Sequence, residues 1–303
     1  GGTTSTIPTY IWLPILGVTG GITYGYVAFL EPAPFTHRTR WIATTPEQEA
    51  QMGDREYHRM LQQFQGDILP SDHTACRTVR RVGERLRMAS QNFAESNPTA
   101  RLSTAPHTFT VVRSEQANAF VLPNNHVFVL TGLFRYVKNE DELAAVLGHE
   151  MAHNLARHAG EKISGNLVLG MLGRLLYFLD GSGVLSLFFS QFGALFHELP
   201  NSREAECEAD HIGIHLAAEA CYDPRAAKRV FASMKEEATS EKGTSQRRPP
   251  EFLSTHPSHD HRLSNFDDWM PAALDIFYSD GGTKCERVRR DMRAARIVAV
   301  QER

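Results

Sequence analysis

Residues 10–30, YIWLPILGVTGGITYGYVAFL, contain no charged side chain. That is about the ~20 residues needed to cross a bilayer core. Tyr10 and Trp12 near one end, with Tyr24 and Tyr26 near the other, suit the interfacial belts. Gly17, Gly21 and Gly25 recur every fourth residue and would leave a smooth stripe for a second helix. The stretch therefore predicts a single membrane span, with the lipid bilayer as a partner and a homo-oligomer formed through the stripe.

Beyond it the pattern becomes amphipathic. Residues 45–65 read as a helix capped at Thr45-Pro46, with Glu47 and Glu49 in its first turn. Residues 72–92 place Cys76, Val79, Val82 and Leu86 on one helical face. Three short strands follow at 108–112, 119–122 and 126–131, separated by turn chemistry at Glu115-Gln116 and Pro123-Asn124-Asn125. Asn139 with Asp141 and Glu142 then opens another helix. Residues 167–199 form two apolar arms broken at Asp180-Gly181-Ser182-Gly183, each too short to span. They predict either a buried hairpin or a pair dipping into the membrane interface beside the site. Residues 238–250, ATSEKGTSQRRPP, read as a mobile loop. The fold class is α+β, mainly helical, with a small antiparallel sheet preceded by one transmembrane helix.

Composition narrows this picture in three places. At 303 residues, 22% charged and 42% hydrophobic, the chain can bury a substantial core. A net charge of −3 argues against a bulk nucleic-acid binder. Cys76, Cys207, Cys221 and Cys285 are widely spaced without a C-x-x-C pair, which predicts buried or free thiols and no disulfide framework. At the other end, residues 280–303 carry Lys284, Arg287, Arg289, Arg290, Arg293 and Arg296 on a basic amphipathic helix, either solvated or facing anionic lipid.

Candidate chemistry is concentrated in LGHEMAHNLARHAG, residues 147–160. At about 100° per residue, His153 lies roughly 40° round from His149, on the same face and one turn on. Two imidazoles so placed can reach one tetrahedral zinc ion, and Glu150 then lies beside the metal without ligating it. That is the mechanical content of H-E-x-x-H: two ligands and a general base. His158 falls on nearly the opposite side and predicts a polar position off the metal face. A chance H-E-x-x-H is expected in on the order of a few per cent of chains this rich in His.

A catalytic zinc site needs a third protein ligand and an open position. SREAECEADHIGIHLA, residues 202–217, offers Glu206 as ligand. Asp210, one turn on, can hydrogen-bond a ligand histidine from behind. Glu204 and Glu208 point away and fit solvent.

LGHEMAH followed by SREAECEAD resembles the signature of the membrane-associated HExxH zinc metallopeptidases that include HtpX and the CAAX prenyl proteases. NAFVLPNNHVFVLTGLF resembles the strand segment before their zinc helix, and STHPSHDHRL their downstream S-T-H-P…R element. PFTHRTRWI and ILPSDH, with the single N-terminal span, look most like the mitochondrial OMA branch, whose activity overlaps the m-AAA protease. His37 departs from that branch, which has Gly there.

The resemblance implies a zincin-like (gluzincin) domain over residues 45–279, after a flank at 1–9, the span at 10–30 and a linker at 31–44. It implies one zinc ion held by His149, His153 and Glu206. It also implies a matrix-targeted precursor and residence in the mitochondrial inner membrane. There the protein would cleave membrane-anchored substrates under stress, such as the dynamin-like fusion GTPase. The branch generally places its catalytic domain toward the intermembrane space, whereas Arg38 and Arg40 just after the span would hold it on the insertion side.

The mechanism expected makes Glu150 the general base and His256 the oxyanion donor, with His259, His261 and Arg262 as alternatives. A substrate strand would add to the edge near residues 119–122. The alternatives are a non-catalytic zinc-stabilised membrane scaffold, which has no need of Glu150, and a redox metal site.

Overall fold

The computed structural model describes residues 9–97, 100, 105–179, 202–240, 251–256 and 261–301. The apolar N-terminal stretch is helix α1 (Thr9–Ala28). Leu13, Leu16, Ile22 and Tyr24 are all exposed, and a Cβ at Gly17, Gly21 or Gly25 would meet nothing within 4 Å. The helix stops short of the span expected at 10–30, because Leu30 enters a strand. Among the described residues, no helix is long and apolar enough to cross a membrane.

Residues 31–44 are not a plain linker. Strands β1 (Leu30–Pro32) and β2 (Thr39–Trp41) pair antiparallel, with Glu31 opposite Arg40. The turn between them puts Phe35 (φ 71) and His37 (φ 54) in the left-handed region. Glycine takes that region freely and other side chains at a cost, which accounts for the Gly that the resembling pattern has at His37. Arg40 is buried and bonds Glu31 and the Ala156 carbonyl, while Arg38 bonds Glu161 and Glu208. Both arginines read as topology signals are thus committed to the fold.

Helix α2 (Pro46–Gln63) begins with the predicted cap: Gln48 N–H bonds the Thr45 hydroxyl, and the Gln48 side chain returns to Thr45 N–H. Helix α3 (Thr74–Ser96) buries Cys76, Val79, Val82 and Leu86 as the pattern requires. The strands β3 (Thr108–Val112), β4 (Ala119–Val121) and β5 (His126–Leu130) lie in the order β3-β5-β4. The expected antiparallel sheet is mixed: β3 runs parallel to β5, and only β4 is antiparallel to it. The reason lies in the crossover. The chain leaving β3 passes over Gly132, where any side chain would strike the Gln116 backbone, and so delivers β4 to the far edge.

Helix α4 (Glu140–Leu155) is capped by Asn139, whose side chain accepts from Glu142 N–H at 2.9 Å. It is buried along nearly its whole length. Helix α5 (His158–Leu179) leaves it at a sharp corner formed by Arg157 (φ 53). Arg157 is held there by Glu31, Glu49 and the Thr44 carbonyl. Leu167, Val168, Met171 and Phe178 of α5 are exposed, so the first apolar arm does not bury these side chains. The second arm and nearly all of the 238–250 loop lie outside the described residues.

Helices α6 (Arg203–Glu219), α7 (Arg225–Ser240), α8 (Glu251–Thr255), α9 (Arg262–Phe277) and α10 (Thr283–Gln301) follow among the described residues. One contiguous core joins α3, α4, α6, α7, α9 and the inner face of the sheet. The crossing that matters most is α4 on α6, which meet backbone to backbone. A Cβ at Gly213 would lie 2.9 Å from His149 N, and one at Gly148 would lie 2.9 Å from the Gly213 carbonyl oxygen. This approach brings Glu206 and Asp210 to the histidines of α4. Gly213→Ala should push the helices apart, costing about 1–3 kcal/mol in urea unfolding and weakening metal retention. Unchanged stability and metal content would show that the close approach is dispensable.

Cys221 and Cys285 form a disulfide across a sequence separation of 64, contrary to the free thiols expected. Cys76 and Cys207 remain free. Spacing carries no signal for such a bridge, because it depends on α10 docking at the end of α6. Closing a loop of that length stabilises by about 4 kcal/mol in the chain-entropy account. Arg289 with Asp141 (2.7 Å) and Lys284 with Glu219 (2.9 Å) reinforce the docking, so part of the basic charge of α10 faces protein.

Candidate metal centre

His149 and His153 sit one turn apart on α4, as the spacing predicts, and Glu206 near the start of α6 faces both. His149 Nε2 lies 3.1 Å from His153 Nε2 and 3.4 Å from Glu206 Oε2. His153 Nε2 lies 3.5 Å from Glu206 Oε1. Tetrahedral ligands at zinc distances have edges of about 3.3 Å, so these separations fit a single metal ion. All three residues are buried. Glu206 Oε2 has no hydrogen-bond donor, although it is shut away from water. A buried carboxylate that leaves this oxygen unpartnered beside an imidazole nitrogen, with its other oxygen facing a second imidazole, matches a cation's requirements.

The surroundings act differently on the three residues. Burial drives His153 well below the usual imidazole range and so keeps it neutral. Burial also opposes charge on His149, but the bonds to Asp210 and Glu206 outweigh it and push the imidazole up to about 9. Glu206 is held far below the usual carboxylate range: burial works against that, and the neighbouring imidazoles of His149 and His256 prevail.

Asp210 takes the predicted place behind His149, with Oδ1 at 2.9 Å from His149 Nδ1. Arg262, one of the alternative oxyanion donors, instead meets the same Asp210 oxygen. It donates from Nη2 to Oδ1 at 2.7 Å while its guanidinium covers the Phe231 ring at 4.0 Å. This anchors the carboxylate that orients His149. Glu150 does not join the cluster. Its carboxyl is buried, with Oε1 at 3.3 Å from His256 Nε2. Burial raises its pKa, and the neighbouring histidines work in the other direction.

Residues 80–270 match peptidase family M48. The chain belongs to that family. It is 37% identical to mitochondrial metalloendopeptidase OMA1 of Schizosaccharomyces pombe, over 84% of this chain and 71% of that protein. Against the Saccharomyces cerevisiae protein of the same name it is 31% identical, over 85% and 74%. With the human metalloendopeptidase OMA1 it shares 34% identity over 83% of this chain, which spans 48% of the human protein. As an M48 peptidase with these relatives, the protein is a metalloendopeptidase.

Within this M48 centre, His256 also belongs to the cluster. Its Nδ1 lies 3.0 Å from Glu206 Oε1 and 3.3 Å from His149 Nε2, so it stands among the four residues that could hold an ion. His261 is exposed on the turn before α9, and His259 lies outside the described residues.

Two side chains differ from expectation. His158 does not continue the wheel of α4, because the Arg157 corner ends that helix and swings His158 back. Its Nδ1 comes within 2.8 Å of His153 Nδ1. Glu208 is turned away from the cluster as expected but is buried, not solvated. Burial opposes its charge, yet bonds from His158, Arg38 and Thr36 hold its pKa down to about 2. Glu204 is exposed as expected. Neither His158 nor Glu208 could be placed from helical angles alone, since the strap that covers Glu208 comes from residues 36–38.

Proposed function

We propose that this protein is a membrane-anchored zinc endopeptidase of the mitochondrial inner membrane. It would cleave membrane-bound proteins in stress response and quality control, with the dynamin-like fusion GTPase as an example. The observation that carries the reading is the convergence of His149, His153 and Glu206, with Glu150 beside them but outside the ligand set. The mitochondrial setting is supported by the names of the relatives, and anchoring by the exposed apolar side chains of α1.

A zinc ion held by His149, His153 and Glu206 would supply Lewis-acid polarisation of the scissile carbonyl and a more acidic water. Glu150 accepts the proton of the attacking water and returns it to the leaving amine. His256 donates to the oxyanion from its place beside Glu206. Asp210 and Arg262 hold His149 in position. Strand β4, at the sheet edge, offers main-chain groups to an extended substrate.

The test pairs metal analysis of the full chain with cleavage of a membrane-tethered peptide and its untethered counterpart. Stoichiometric zinc and chelator-sensitive cleavage that favours the tethered peptide are expected. Zinc without cleavage would instead support the scaffold reading.

Self-association through α1 belongs to the same proposal, since Gly17, Gly21 and Gly25 face open space. Gly21→Leu should fill the groove and shift the full chain toward monomer in mild detergent while zinc content stays unchanged. An identical oligomer on sizing before and after the substitution would refute it.

A further inference from the structure

The two histidines on α4 are braced in different ways. His149 Nδ1 meets Asp210 directly at 2.9 Å, whereas His153 Nδ1 meets another imidazole, His158 Nδ1, at 2.8 Å. The far nitrogen of that ring, His158 Nε2, lies 2.9 Å from Glu208 Oε2. Glu208 is in turn gripped from outside the helical core. Thr36 donates its hydroxyl to Oε1 at 2.6 Å, and Arg38 donates Nε to Oε1 at 2.9 Å and Nη2 to Oε2 at 3.2 Å. Arg38 is fixed by two further bonds to Glu161, at 2.7 and 2.8 Å.

Only one proton arrangement satisfies the inner chain when His153 presents Nε2 to a metal. Its Nδ1 then carries the proton and donates to His158 Nδ1, which leaves His158 Nε2–H to donate to Glu208. Each link has one donor and one acceptor, with a buried carboxylate at the end to orient the dipoles. We infer that His158 and Glu208 are positioning residues for the ligand His153, and that the β1–β2 turn, through Thr36 and Arg38, supplies the outer end of that hydrogen-bond chain. The turn between the N-terminal helix and the core therefore contributes to the metal centre without touching it.

The inference rests on the zinc reading above, so the experiment begins with the parent protein. Zinc affinity of the full chain is measured by competition with a chromophoric chelator, and the absorption bands of the cobalt-substituted protein report ligand geometry. His158→Phe keeps a ring of similar size but can neither accept from His153 nor donate to Glu208. It should weaken zinc binding by roughly 10- to 100-fold and alter the cobalt bands. His158→Gln, with an amide oxygen to accept and a nitrogen to donate, should recover most of the affinity. Thr36→Val combined with Arg38→Met should move both readouts in the same direction by a smaller factor, and it leaves the core intact if the Phe variant does not fold. Parent-like affinity and cobalt bands in the Phe and Thr36/Arg38 variants would overturn the inference. So would equal losses in the Phe and Gln variants, since His158 would then only fill space. A parent that binds no zinc would defeat the underlying metal reading first, and this inference with it.

Discussion

Glu150→Gln should keep the parent's zinc content and thermal midpoint while peptide hydrolysis falls by roughly 10²- to 10⁴-fold, the range that general-base catalysis contributes. The substitution is nearly isosteric, so the buried packing of α4 around residue 150 survives. What it removes is an atom able to take a proton. Glu150 is outside the group of residues close enough to hold the ion, so losing its charge leaves the ligand set whole. The loss should fall on kcat and leave KM nearly unchanged, because the base acts in the transition state and not in substrate binding. Activity within threefold of the parent would assign the base elsewhere, with His256, 3.3 Å from Glu150 Oε1, the next to test. A variant that lost its zinc would show that Glu150 helps to hold the metal.

Glu206→Ala should abolish zinc retention and, with it, hydrolysis. Glu206 is the sole carboxylate among the four residues that could hold the ion, and its Oε2 has no other partner. Removing it leaves imidazoles alone, without the anionic donor that offsets the metal's charge. The loss of affinity should exceed the roughly 10- to 100-fold typical of residues that act from behind a ligand. Since a bound metal stabilises the folded state by mass action, the rise in thermal midpoint on adding zinc to the parent should vanish in the variant. Full zinc occupancy in Glu206→Ala would place the third ligand elsewhere. Glu208 is a poor substitute, because its carboxylate is already engaged by Thr36, Arg38 and His158. A normal zinc-induced shift with lost activity would make Glu206 a catalytic group and not a ligand.

Much of the site was legible because its spacing is local. His149, Glu150 and His153 share one helix, where a period of about 3.6 residues settles which side chains face together. The same rule places Asp210 one turn beyond Glu206, and the structure puts both beside the histidines of α4. Capping chemistry located the starts of α2 and α4, since Thr45 and Asn139 make their bonds within three residues. His158 escaped this logic at a single backbone angle. The left-handed φ of Arg157 interrupts the wheel, and the interactions that hold it come from Glu31, Thr44 and Glu49, more than a hundred residues earlier.

What the sequence determined by itself is the chemistry that short-range geometry can carry: the paired imidazoles, the free carboxylate between them, the caps and the extent of the apolar runs. Tertiary structure alone decided which distant groups meet. Gly148 and Gly213 let two helix backbones touch, and that contact sets Glu206 against the histidines. Crossover of the chain made the sheet mixed, and docking of α10 joined Cys221 to Cys285. The β1–β2 turn closed over Glu208 and converted an expected surface acid into a buried anchor. Side-chain periodicity depends on a residue's own helix or strand and is written into neighbouring positions. Burial and partnership depend on which surfaces the whole chain brings together, and no local window contains them.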